Sequence, residues 1–472
     1  MHLNDNSTTN RQCLNIRISS LIGLAKCFGK TNSSKGLTHL PLPNPPNQSH
    51  PCLLLSQNEG RTEHQPKNNG YSFYMANPSK SVSLHNRDEV DLWQKQLAKI
   101  RLSNLTNNNE REFPFHSGWV GYYAYPSDIN SAAEFHYYPW SICLDHQTNN
   151  FYLLGKPDGA AHTAFQFLTD ESNQALLLKV AQSPDNFSAE PFAAKWQKTN
   201  YEKAFFKVQD YLQAGDCYQV NLTQPHTTQY AGSALDTLLP LYSALNPSYG
   251  CYFEGKDCQL VSVSPERFIS IDSTGRLEAK PIKGTIKRSD DPTQDQLLID
   301  ELNNSPKNQA ENLMIVDLLR NDLSMSAQPG SVKVDNLFEL ESHPNVHHLV
   351  STISAQLKPE ISPAQAISNA FPGGSITGAP KKRAMEIISE LEAQPRSLYC
   401  GSFGYYSDSG NTDFNILIRS LEFRDNTITC WGGGGITVDS DCDDEYEESL
   451  TKIRRIMETV EGISIGRGKK DN

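Results

Sequence analysis

Two carboxylates and one ammonium in the last apolar-periodic segment could act together. With about 3.6 residues per helical turn, Glu445, Glu448 and Lys452 fall on one stripe of a helix near the C-terminus. The neighbouring stripe is apolar and contains Tyr446, Leu450, Ile453, Met457 and Val460. Paired carboxylates suit Mg²⁺, which takes a few carboxylate oxygens and leaves its other positions to water and an anionic ligand. A solvated flank with an i,i+4 pair between Glu448 and Lys452 is the alternative, and nothing local decides between them.

Two glycine-rich segments could bind an anion through their backbone amides. Residues 371–380 (FPGGSITGAP) end where a helix is predicted to begin, and a helix N-terminus favours negative charge. The segment continues Ala-Pro-Lys instead of the Gly-Lys-Ser/Thr ending of a phosphate-binding loop, so nucleotide binding is not predicted. Residues 432–435 (GGGG) follow a predicted strand. They form either a structural turn or a place where backbone amides approach a ligand closely.

A lysine in an apolar context and an acid some residues before it are the next candidates. Lys283 lies in the segment 281–285 (PIKGT), where a lysine usually lays its stem on apolar surface and keeps its ammonium in water. It could act as a nucleophile only if burial or nearby positive charge lowered its pKa from ~10.4 toward ~7 to 8. Glu266 lies in the segment 264–268 (SPERF), which by itself is most simply a turn with an ion pair.

The elements that position these residues belong to a chain of 472 residues, of which 20% are charged and 37% hydrophobic. This composition argues against disorder, and a formal charge of -12 argues against nucleic acid or a membrane surface as a partner. No stretch approaches the ~18 consecutive apolar residues that can span a bilayer. Ten cysteines without a C-x-x-C pair are typical of reduced thiols, which predicts a cytoplasmic protein.

Three parts can be distinguished along the chain. Residues 1–50 are rich in Asn, Ser and Pro, which predicts a loose leader. Residues 51–182 contain short apolar runs between polar turns, which predicts a β-rich N-terminal region. Residues 195–464 mix strands and helices in a second compact unit. Because the strands come in runs with helices grouped between them, the expected fold class is α+β with large, mostly antiparallel sheets.

Local signals predict several element boundaries in the second unit. A capping box of Thr199 and Glu202 opens one helix, and Gly215 ends it. Ser305-Pro306 opens another helix, and Ser273-Thr274-Gly275 is the turn of a hairpin. Further helices are expected at 364–370 and 380–391, and further strands at 402–406, 415–423 and 427–431.

Eight motifs in the same order resemble those of the chorismate-utilising enzymes. They are GDCYQVNL at 215–222, SPERF at 264–268, PIKGT at 281–285, AENLMIVDLLRND at 310–322, HHLVST at 347–352, FPGGSITGAP at 371–380, GGGGITVDS at 432–440 and the helix from Glu445 to Lys452. Residues 53–168 resemble the N-terminal part of the family more weakly. The resemblance implies a β-sandwich-like core with helices packed outside, as in anthranilate synthase component I. It makes residues 195–464 the chorismate-binding catalytic region.

The resemblance also implies roles for individual residues. Glu311 and Glu448 fall at positions that bind Mg²⁺, with Glu445 as a helper that acts through water. Glu266 falls at the position of the acid that helps the C4 hydroxyl of chorismate to leave. The expected substrate contacts are Tyr405, Arg419, the amides of Gly433, Gly434 and Gly435, and Lys452, with His348, Ser375 and Gln219 lining the pocket.

Two positions separate the branches of this family. Isochorismate and salicylate synthases carry a lysine base where this chain has Gln219, so addition of water at C2 is disfavoured here. Anthranilate synthases carry alanine where this chain has Lys283. The lysine form is that of the branch that aminates C4.

The reaction implied by the resemblance is a Mg²⁺-dependent, transaminase-class replacement of the C4 hydroxyl of chorismate by an amino group. The product would be 4-amino-4-deoxychorismate for 4-aminobenzoate and folate synthesis. Lys283 is expected to add at C2 as the hydroxyl leaves, and ammonia then adds at C4 and expels it. No glutaminase nucleophile can be assigned in the chain, so a separate glutamine amidotransferase subunit is expected to supply ammonia in a heterodimer.

Two alternatives stay open. Ammonia addition at C2 would make the chain an anthranilate synthase component I. A non-catalytic sensor of an aromatic amino acid on the same fold is the other alternative. Anthranilate-forming members build a tryptophan pocket around Leu-Leu-Glu-Ser, and residues 53–56 here are LLLS. The presence of Glu266, Lys283, Glu311 and Glu448 together argues against a sensor.

Overall fold

Two antiparallel sheets pack face to face, and the helices lie on their outer faces. The structure is a computed structural model, and it describes residues 16–26, 50–56, 70–101, 113–126, 133–182, 187–342, 346–392 and 394–465. No helix in these ranges is long and apolar enough to cross a membrane. The expected fold class, α+β with a sandwich-like core of mostly antiparallel sheets, is confirmed.

The strands and helices are numbered along the described residues. The strands are β1 Cys52–Ser56, β2 Tyr71–Met75, β3 Lys80–Leu84, β4 Gly118–Tyr123, β5 Ala133–Tyr138, β6 Trp140–Asp145, β7 Asn150–Gly155, β8 Ser188–Ala189, β9 Ala193–Ala194, β10 Gln219–Ala231, β11 Tyr249–Glu254, β12 Gln259–Ser264, β13 Arg267–Ile271, β14 Arg276–Lys280, β15 Ile282–Lys287, β16 Lys333–Ser342, β17 Val346–Gln356, β18 Gly378–Ala379, β19 Ser402–Ser407, β20 Thr412–Ile416, β21 Ser420–Arg424 and β22 Thr427–Ile436. The helices are α1 16–26, α2 Arg87–Arg101, α3 Gly159–Thr169, α4 Glu171–Gln182, α5 Lys198–Gln213, α6 Leu235–Leu245, α7 Pro292–Asn303, α8 Pro306–Ser324, α9 Pro363–Ala370, α10 Lys381–Leu391 and α11 Cys442–Ile465.

Both halves of the chain contribute strands to both sheets. The first sheet has the order β18-β10-β22-β21-β12-β11-β1-β2-β6-β7, with β8 and β9 beside β10. The second has the order β15-β17-β14-β13-β20-β19-β4-β5-β3, with β16 beside β17. Because the N-terminal strands interleave with the later ones, the two regions share one core between the sheets.

Three hydrophobic layers hold this arrangement together. Between the sheets, Phe73 and Phe253 of the first sheet share a cluster with Val120 and Phe403 of the second. The outer face of the first sheet packs against α1, α3, α4, α6 and α11, and that of the second packs against α2, α8 and α9. Alternation along each strand sends successive side chains to opposite faces, so each sheet can bury both faces.

Helix α1 corrects the expectation of a loose leader over residues 1–50. Five of its apolar side chains, Ile18, Leu21, Ile22, Leu24 and Ala25, are almost completely buried in the core outside the first sheet. Lys26 at its end forms an ion pair with Asp236 of α6 at 2.6 Å and donates to the carbonyl of Ala181 at 3.0 Å. The composition of residues 1–50 as a whole concealed this short apolar helix. The other residues of that segment, except His50, lie outside the described ranges.

Other boundaries are partly confirmed. Helix α8 begins after Ser305, whose hydroxyl accepts from the amide of Asn308, as a cap should. The capping box at Thr199 is wrong, because α5 begins at Lys198 and its N-cap is Gln197. The predicted strand 415–423 is also wrong as a single element. It divides into β20 and β21, and between them Arg419 takes a φ of 51° as the chain passes from the second sheet to the first.

The Lys26–Asp236 pair gives a test of how α1 is held. Lys26→Met should lower the free energy of unfolding by about 3 to 5 kcal/mol, because it leaves Asp236 buried without its cation. Chemical denaturation followed by circular dichroism measures this. The double variant Lys26→Met/Asp236→Leu should recover most of the loss. Lys198→Met, which breaks an exposed pair with Asp443, should leave stability nearly unchanged. Equal effects of the two single variants would contradict a buried, structural α1.

Candidate active site

Charged side chains from several elements lie close together at one edge of the second sheet, next to the edge strand β15. The charges acting most strongly on Lys283 of β15 are Glu311 of α8, Lys452 and Glu448 of α11, and Glu266, which directly precedes β13. Glu266 in turn is influenced by Lys283, Arg419 and Lys452. The structure therefore brings together residues that are 186 positions apart in the sequence, from Glu266 to Lys452.

A bulge in β15 places Lys283. Strand β15 pairs with β17 at Ile282 opposite Val350 and at Thr285 opposite His348, so two residues of β15 lie opposite one of β17. One of the two, Gly284, has a φ of 90°, which a side chain would strain. Such a bulge turns the bulged strand and redirects its side chains.

Burial shifts the pKa of Lys283 and that of Glu266 in opposite directions. Burial lowers the pKa of the Lys283 amine, and Lys452 lowers it further, while Glu311 and Glu266 act in the other direction. Burial raises the pKa of Glu266 to about 7, although the Ser375 hydroxyl and the cations Lys283 and Arg419 oppose the rise. Each shift favours the neutral form of its group, which is the direction that an amine nucleophile and a proton donor need.

Ser375 and Arg419 are held next to Glu266. The Ser375 hydroxyl donates to Oε1 of Glu266 at 2.9 Å, and Ser375 lies in the short 3₁₀ turn Gly374–Ile376 of the glycine-rich segment 371–380. Burial lowers the pKa of the Arg419 guanidinium, and the charge of Glu266 opposes this. The glycine-rich segment thus supplies a hydroxyl to a buried acid, and its nucleotide-loop appearance is incidental.

The second glycine-rich segment, Gly432 to Gly435, is the end of strand β22, so the turn alternative is wrong. It pairs with β10 on one side, whereas β21 pairs with β22 only as far as Cys430. Among the described strands, none therefore covers the second edge of these glycines.

The partners of β10 show which glycine amides face that open edge. Thr223 and Asn221 lie opposite Gly433 and Gly435, and both direct their backbone N–H groups away from β22, to Glu392 and to Thr377. In an antiparallel ladder the opposite residues then also point away from their partner strand. The N–H groups of Gly433 and Gly435 therefore face the open edge, where they can bind a carboxylate.

Helix α11 lies across the same glycines. Nζ of Lys452 donates to the carbonyl of Gly433 at 3.0 Å and pairs with Glu448 at 2.7 Å. A methyl group on Gly434 would lie 3.0 Å from Oε2 of Glu445 and 3.5 Å from Nζ of Lys452. The predicted stripe of Glu445, Glu448 and Lys452 thus faces a glycine strand, which leaves space for these side chains.

The two carboxylates of α11 have different surroundings. Burial raises the pKa of Glu445, and its neighbour Glu448 adds to the rise, although Ser440 donates to Glu445 at 2.7 Å. For Glu448 the effect of burial is outweighed by Lys452 and Lys307, which together lower its pKa. Lys307 of α8 also lies 3.8 Å from Glu445, so α8 and α11 face each other across this gap.

These acidic residues could hold a cation in one particular way. In the described part of the chain, no three His, Cys, Asp or Glu side chains lie close enough to form a cage of protein ligands alone. The sequence predicts a smaller donor set, with one carboxylate from α8, Glu311, one from α11, Glu448, and Glu445 acting through water. Glu311 and Glu448 both act on the charge of Lys283. Mg²⁺ is usually bound by one or two carboxylates, and water or substrate oxygens fill its other positions.

Two predicted pocket residues are placed beside this cluster. Gln219 is fully buried, and its side-chain amide packs against Gly435. A methyl group on Gly435 would lie 2.7 Å from Nε2 of Gln219. Neither of its amide atoms has a hydrogen-bond partner in the structure, so it can offer both to a ligand or water. His348 is buried with its Nδ1 2.8 Å from the hydroxyl of Thr285, two residues after Lys283.

Tyr405 is the predicted substrate contact that the structure places elsewhere. Its ring packs against Phe115 between the sheets, and it lines a cavity of about 520 Å³ with Leu54, Arg267 and Asp413. None of Glu266, Lys283, Glu311 and Glu448 lines this cavity. Because side chains alternate along β19, the two adjacent tyrosines point to opposite faces. Tyr405 packs in the cluster between the sheets, and Tyr406 packs in the cluster outside the second sheet.

Tyr399 lies next to the glycine strand, although the sequence did not identify it as a site residue. Its ring stacks on Trp431 with 5.5 Å between centroids and 5° between planes. Trp431 directly precedes the glycines of β22. The sequence feature that could have identified it is a tyrosine beside Cys400 and Gly401, where the chain turns before β19.

Comparison with known proteins identifies the family of this chain. A family model described as chorismate binding enzyme matches residues 50–458. The chain therefore belongs to the chorismate binding enzyme family. Over 396 residues it is 39% identical to aminodeoxychorismate synthase component 1 of Klebsiella aerogenes, covering 81% of this chain and 85% of that one. It is 43% identical over 324 residues to the protein of the same name from Escherichia coli (strain K12), with 69% of each chain covered.

Solved structures support the fold. Anthranilate synthase component I from Streptococcus pneumoniae TIGR4 superimposes with a TM-score of 0.67 at 24% identity, covering 84% of this chain and 95% of that chain. An isochorismate synthase from Escherichia coli, MenF, superimposes with a TM-score of 0.64 at 17% identity. At such identities the likeness establishes the architecture alone.

The raised pKa of Glu266 can be tested without any reaction. The infrared band of its protonated carboxyl, assigned by subtracting the spectrum of Glu266→Gln, should disappear with a midpoint near pH 7. Ser375→Ala should move the midpoint to higher pH, because the serine hydroxyl stabilises the carboxylate. Ser402→Ala, which removes a buried hydroxyl bonded to the Asn415 carbonyl, should leave it unchanged. A midpoint near the ordinary value of ~4.3 would show that Glu266 is solvated.

Proposed function

We propose that this chain replaces the C4 hydroxyl of chorismate with an amino group and so forms 4-amino-4-deoxychorismate, a precursor of 4-aminobenzoate and folate. The observation that carries the proposal is the placement of Lys283, with a lowered pKa, in one charge cluster with Glu266, whose pKa is raised to about 7. The relatives at 39% and 43% identity carry the name of this activity. Amination of this kind is a transaminase-class reaction.

The two residues would act in sequence. The Lys283 amine forms a bond to C2 as the ring double bond shifts and the C4–O bond breaks, and Glu266 gives its proton to the departing hydroxyl, which leaves as water. Ammonia then forms a bond to C4, the double bond shifts back, and the C2–N bond breaks to release the neutral Lys283 amine. The ammonium formed at C4 returns one proton to the Glu266 carboxylate. The net change is chorismate plus ammonia to 4-amino-4-deoxychorismate plus water. General acid catalysis of this type contributes about 10²- to 10⁴-fold, and orientation adds to it.

The remaining residues of the cluster bind and orient the substrate. Chorismate carries two carboxylates, and the chain has a net charge of -12, so attraction must be local. Arg419, Lys452 and the outward N–H groups of Gly433 and Gly435 supply positive potential at the open edge of β22. Mg²⁺ held by Glu311 and Glu448 would add charge that stabilises the substrate carboxylate and the departing oxygen.

Ammonia would come from a second protein. The relatives are named component 1, which implies a partner component. We propose that this partner is a glutamine amidotransferase and that the working unit is a cytoplasmic heterodimer. Free thiols support a reducing compartment, because the eight cysteines in the described ranges are all unpaired and seven of them are buried.

The alternatives differ from this proposal at identifiable places. Anthranilate formation needs ammonia at C2, the atom that Lys283 would occupy. An aromatic sensor would use the cavity between the sheets, which Leu54 and Leu55 line. The cluster that contains Lys283, Glu266, Glu311 and Glu448 is separate from that cavity, which favours an enzyme.

Replacement of Lys283 separates the two amination reactions. With chorismate, ammonium and Mg²⁺, Lys283→Ala should lose about 100-fold or more of 4-amino-4-deoxychorismate formation, because the nucleophile is gone. Residual ammonia addition should shift to the unblocked C2 and give an anthranilate-type product, identified by mass spectrometry. The wild type quenched with chorismate should show an adduct on the Lys283 peptide. Lys287→Ala, an exposed lysine of the same strand, is the control. Wild-type rates in Lys283→Ala without an adduct would remove the nucleophile from the mechanism.

Direct measurement of Mg²⁺ binding tests the acidic pair. Calorimetric titration of Mg²⁺ should show affinity weakened by about tenfold or more in Glu311→Gln and in Glu448→Gln, since each loses one of few charged oxygen ligands. Turnover should fall in parallel while circular dichroism stays unchanged. Glu447→Gln, on the exposed face of the same helix, should bind like the wild type. Unchanged affinity in both variants would assign these carboxylates to a solvated helix flank.

A further inference from the structure

A buried ion pair completes the edge of β10 that faces away from the glycine strand. On that edge β10 pairs with β18 at Gln219 and Val220 and with β9 at His226 and Thr227. Between them, no described strand covers residues 221 to 225. The ion pair Arg396–Glu392 lies in this gap and serves as a substitute for a strand.

The bonds of the pair to β10 match those of a strand. Arg396 donates through Nη2 to the carbonyl of Asn221 at 2.6 Å, and Glu392 accepts from the amide of Thr223 at 3.0 Å. The two side chains are themselves joined by two bonds, Nε to Oε2 at 2.8 Å and Nη2 to Oε1 at 2.7 Å. Arg396 is 1% exposed, and the ring of Tyr125 lies 4.8 Å from its guanidinium. A planar, bidentate pair of this kind has little freedom to move.

Another guanidinium nitrogen of Arg396 contacts the 3₁₀ turn Gly374–Ile376. Nη1 of Arg396 donates to the carbonyl of Ile376 at 2.9 Å, and the side chain of Asn221 donates to that carbonyl at 3.0 Å. Ile376 directly follows Ser375, whose hydroxyl bonds Glu266. A short chain of contacts therefore links the buried arginine to the acid.

We propose that Arg396 and Glu392 are positioning residues, which fix Ser375 against Glu266 and fix β10 so that Gly433 and Gly435 turn their amides to the substrate. Neither residue touches the reacting atoms. The proposal rests on the proposed role of Glu266 as the acid of the amination. The pair joins the two ligand-facing glycine-rich segments, which are distant in sequence, through one rigid group.

Steady-state kinetics over a range of pH tests this role. The charged groups that face Glu266 are Lys283 of β15, Arg419 before β21 and Lys452 of α11, and they are left intact. Arg396→Lys keeps the charge but cannot make the directed bonds, so kcat should fall about 10- to 100-fold. The alkaline limb of kcat should move to higher pH, because Glu266 loses a donor to its carboxylate. KM for chorismate should rise, because the glycine amides lose their alignment.

Ser375→Ala distinguishes a positioning role of Arg396 from a purely structural one. It should shift the alkaline limb in the same direction as Arg396→Lys. The double variant Arg396→Lys/Ser375→Ala should have the limb of Ser375→Ala alone, since both act through one hydroxyl. Glu392→Gln, which keeps the shape but removes the charge, is the second variant and should shift the limb in the same way. Lys26→Met is the matched control, because it breaks a remote buried pair and should lower stability without moving the limb or KM.

Two results would overturn the proposal. One is an unshifted limb and unchanged KM in Arg396→Lys or Glu392→Gln, and the other is an additive shift in the double variant. The infrared titration of Glu266 gives the same comparison without turnover, and Arg396→Lys should raise its midpoint as Ser375→Ala does. A wild type that makes no 4-amino-4-deoxychorismate would end the proposed function, whereas an unmoved infrared midpoint would end the positioning role alone.

Discussion

The burial of an amine and a carboxylic acid in one charge cluster is the constraint on which the rest of the structure depends. Burial disfavours the ionised form of each group, so the pKa of Lys283 is lowered and that of Glu266 is raised. Opposite charges nearby oppose both pKa shifts, and the pKa of Glu266 is raised to about 7. The two shifts have the directions that a proton donor and an amine nucleophile require.

The architecture explains how such a cluster is held. Lys283 is turned by a bulge in the second sheet, Glu266 stands just before β13 in the same sheet, and the glycine strand β22 belongs to the first sheet. Helices α8 and α11 bring Glu311 and Glu448 from outside. Side chains of the glycine strand would occupy the space that Glu445 and Lys452 use. Each element thus contributes one kind of group, and only the packing of the two sheets unites them.

Electrostatic balance in this cluster is local. The chain carries 54 acidic and 42 basic side chains, yet cations and outward amides are concentrated where a dianion would bind. Ion pairs elsewhere have another purpose. Lys26–Asp236 holds α1 in the core, and Arg396–Glu392 satisfies backbone groups that a missing strand leaves open. Removal of one partner from such a pair would leave the other charge buried without compensation.

Sequence alone determined the α+β class, the helix starting at Ser305-Pro306 and the stripe of Glu445, Glu448 and Lys452, because these follow from local periodicity and capping. Motif order also identified Lys283 and Glu266 as candidates, since residue types and neighbours survive in a linear pattern. Only the tertiary structure decided that Tyr405 faces the cavity between the sheets, that residues 16–26 are buried, and that 415–423 divide between two sheets. It also decided the environment that shifts the pKa values. Burial, register and the side to which a strand turns arise from contacts between distant residues, and no local pattern contains them.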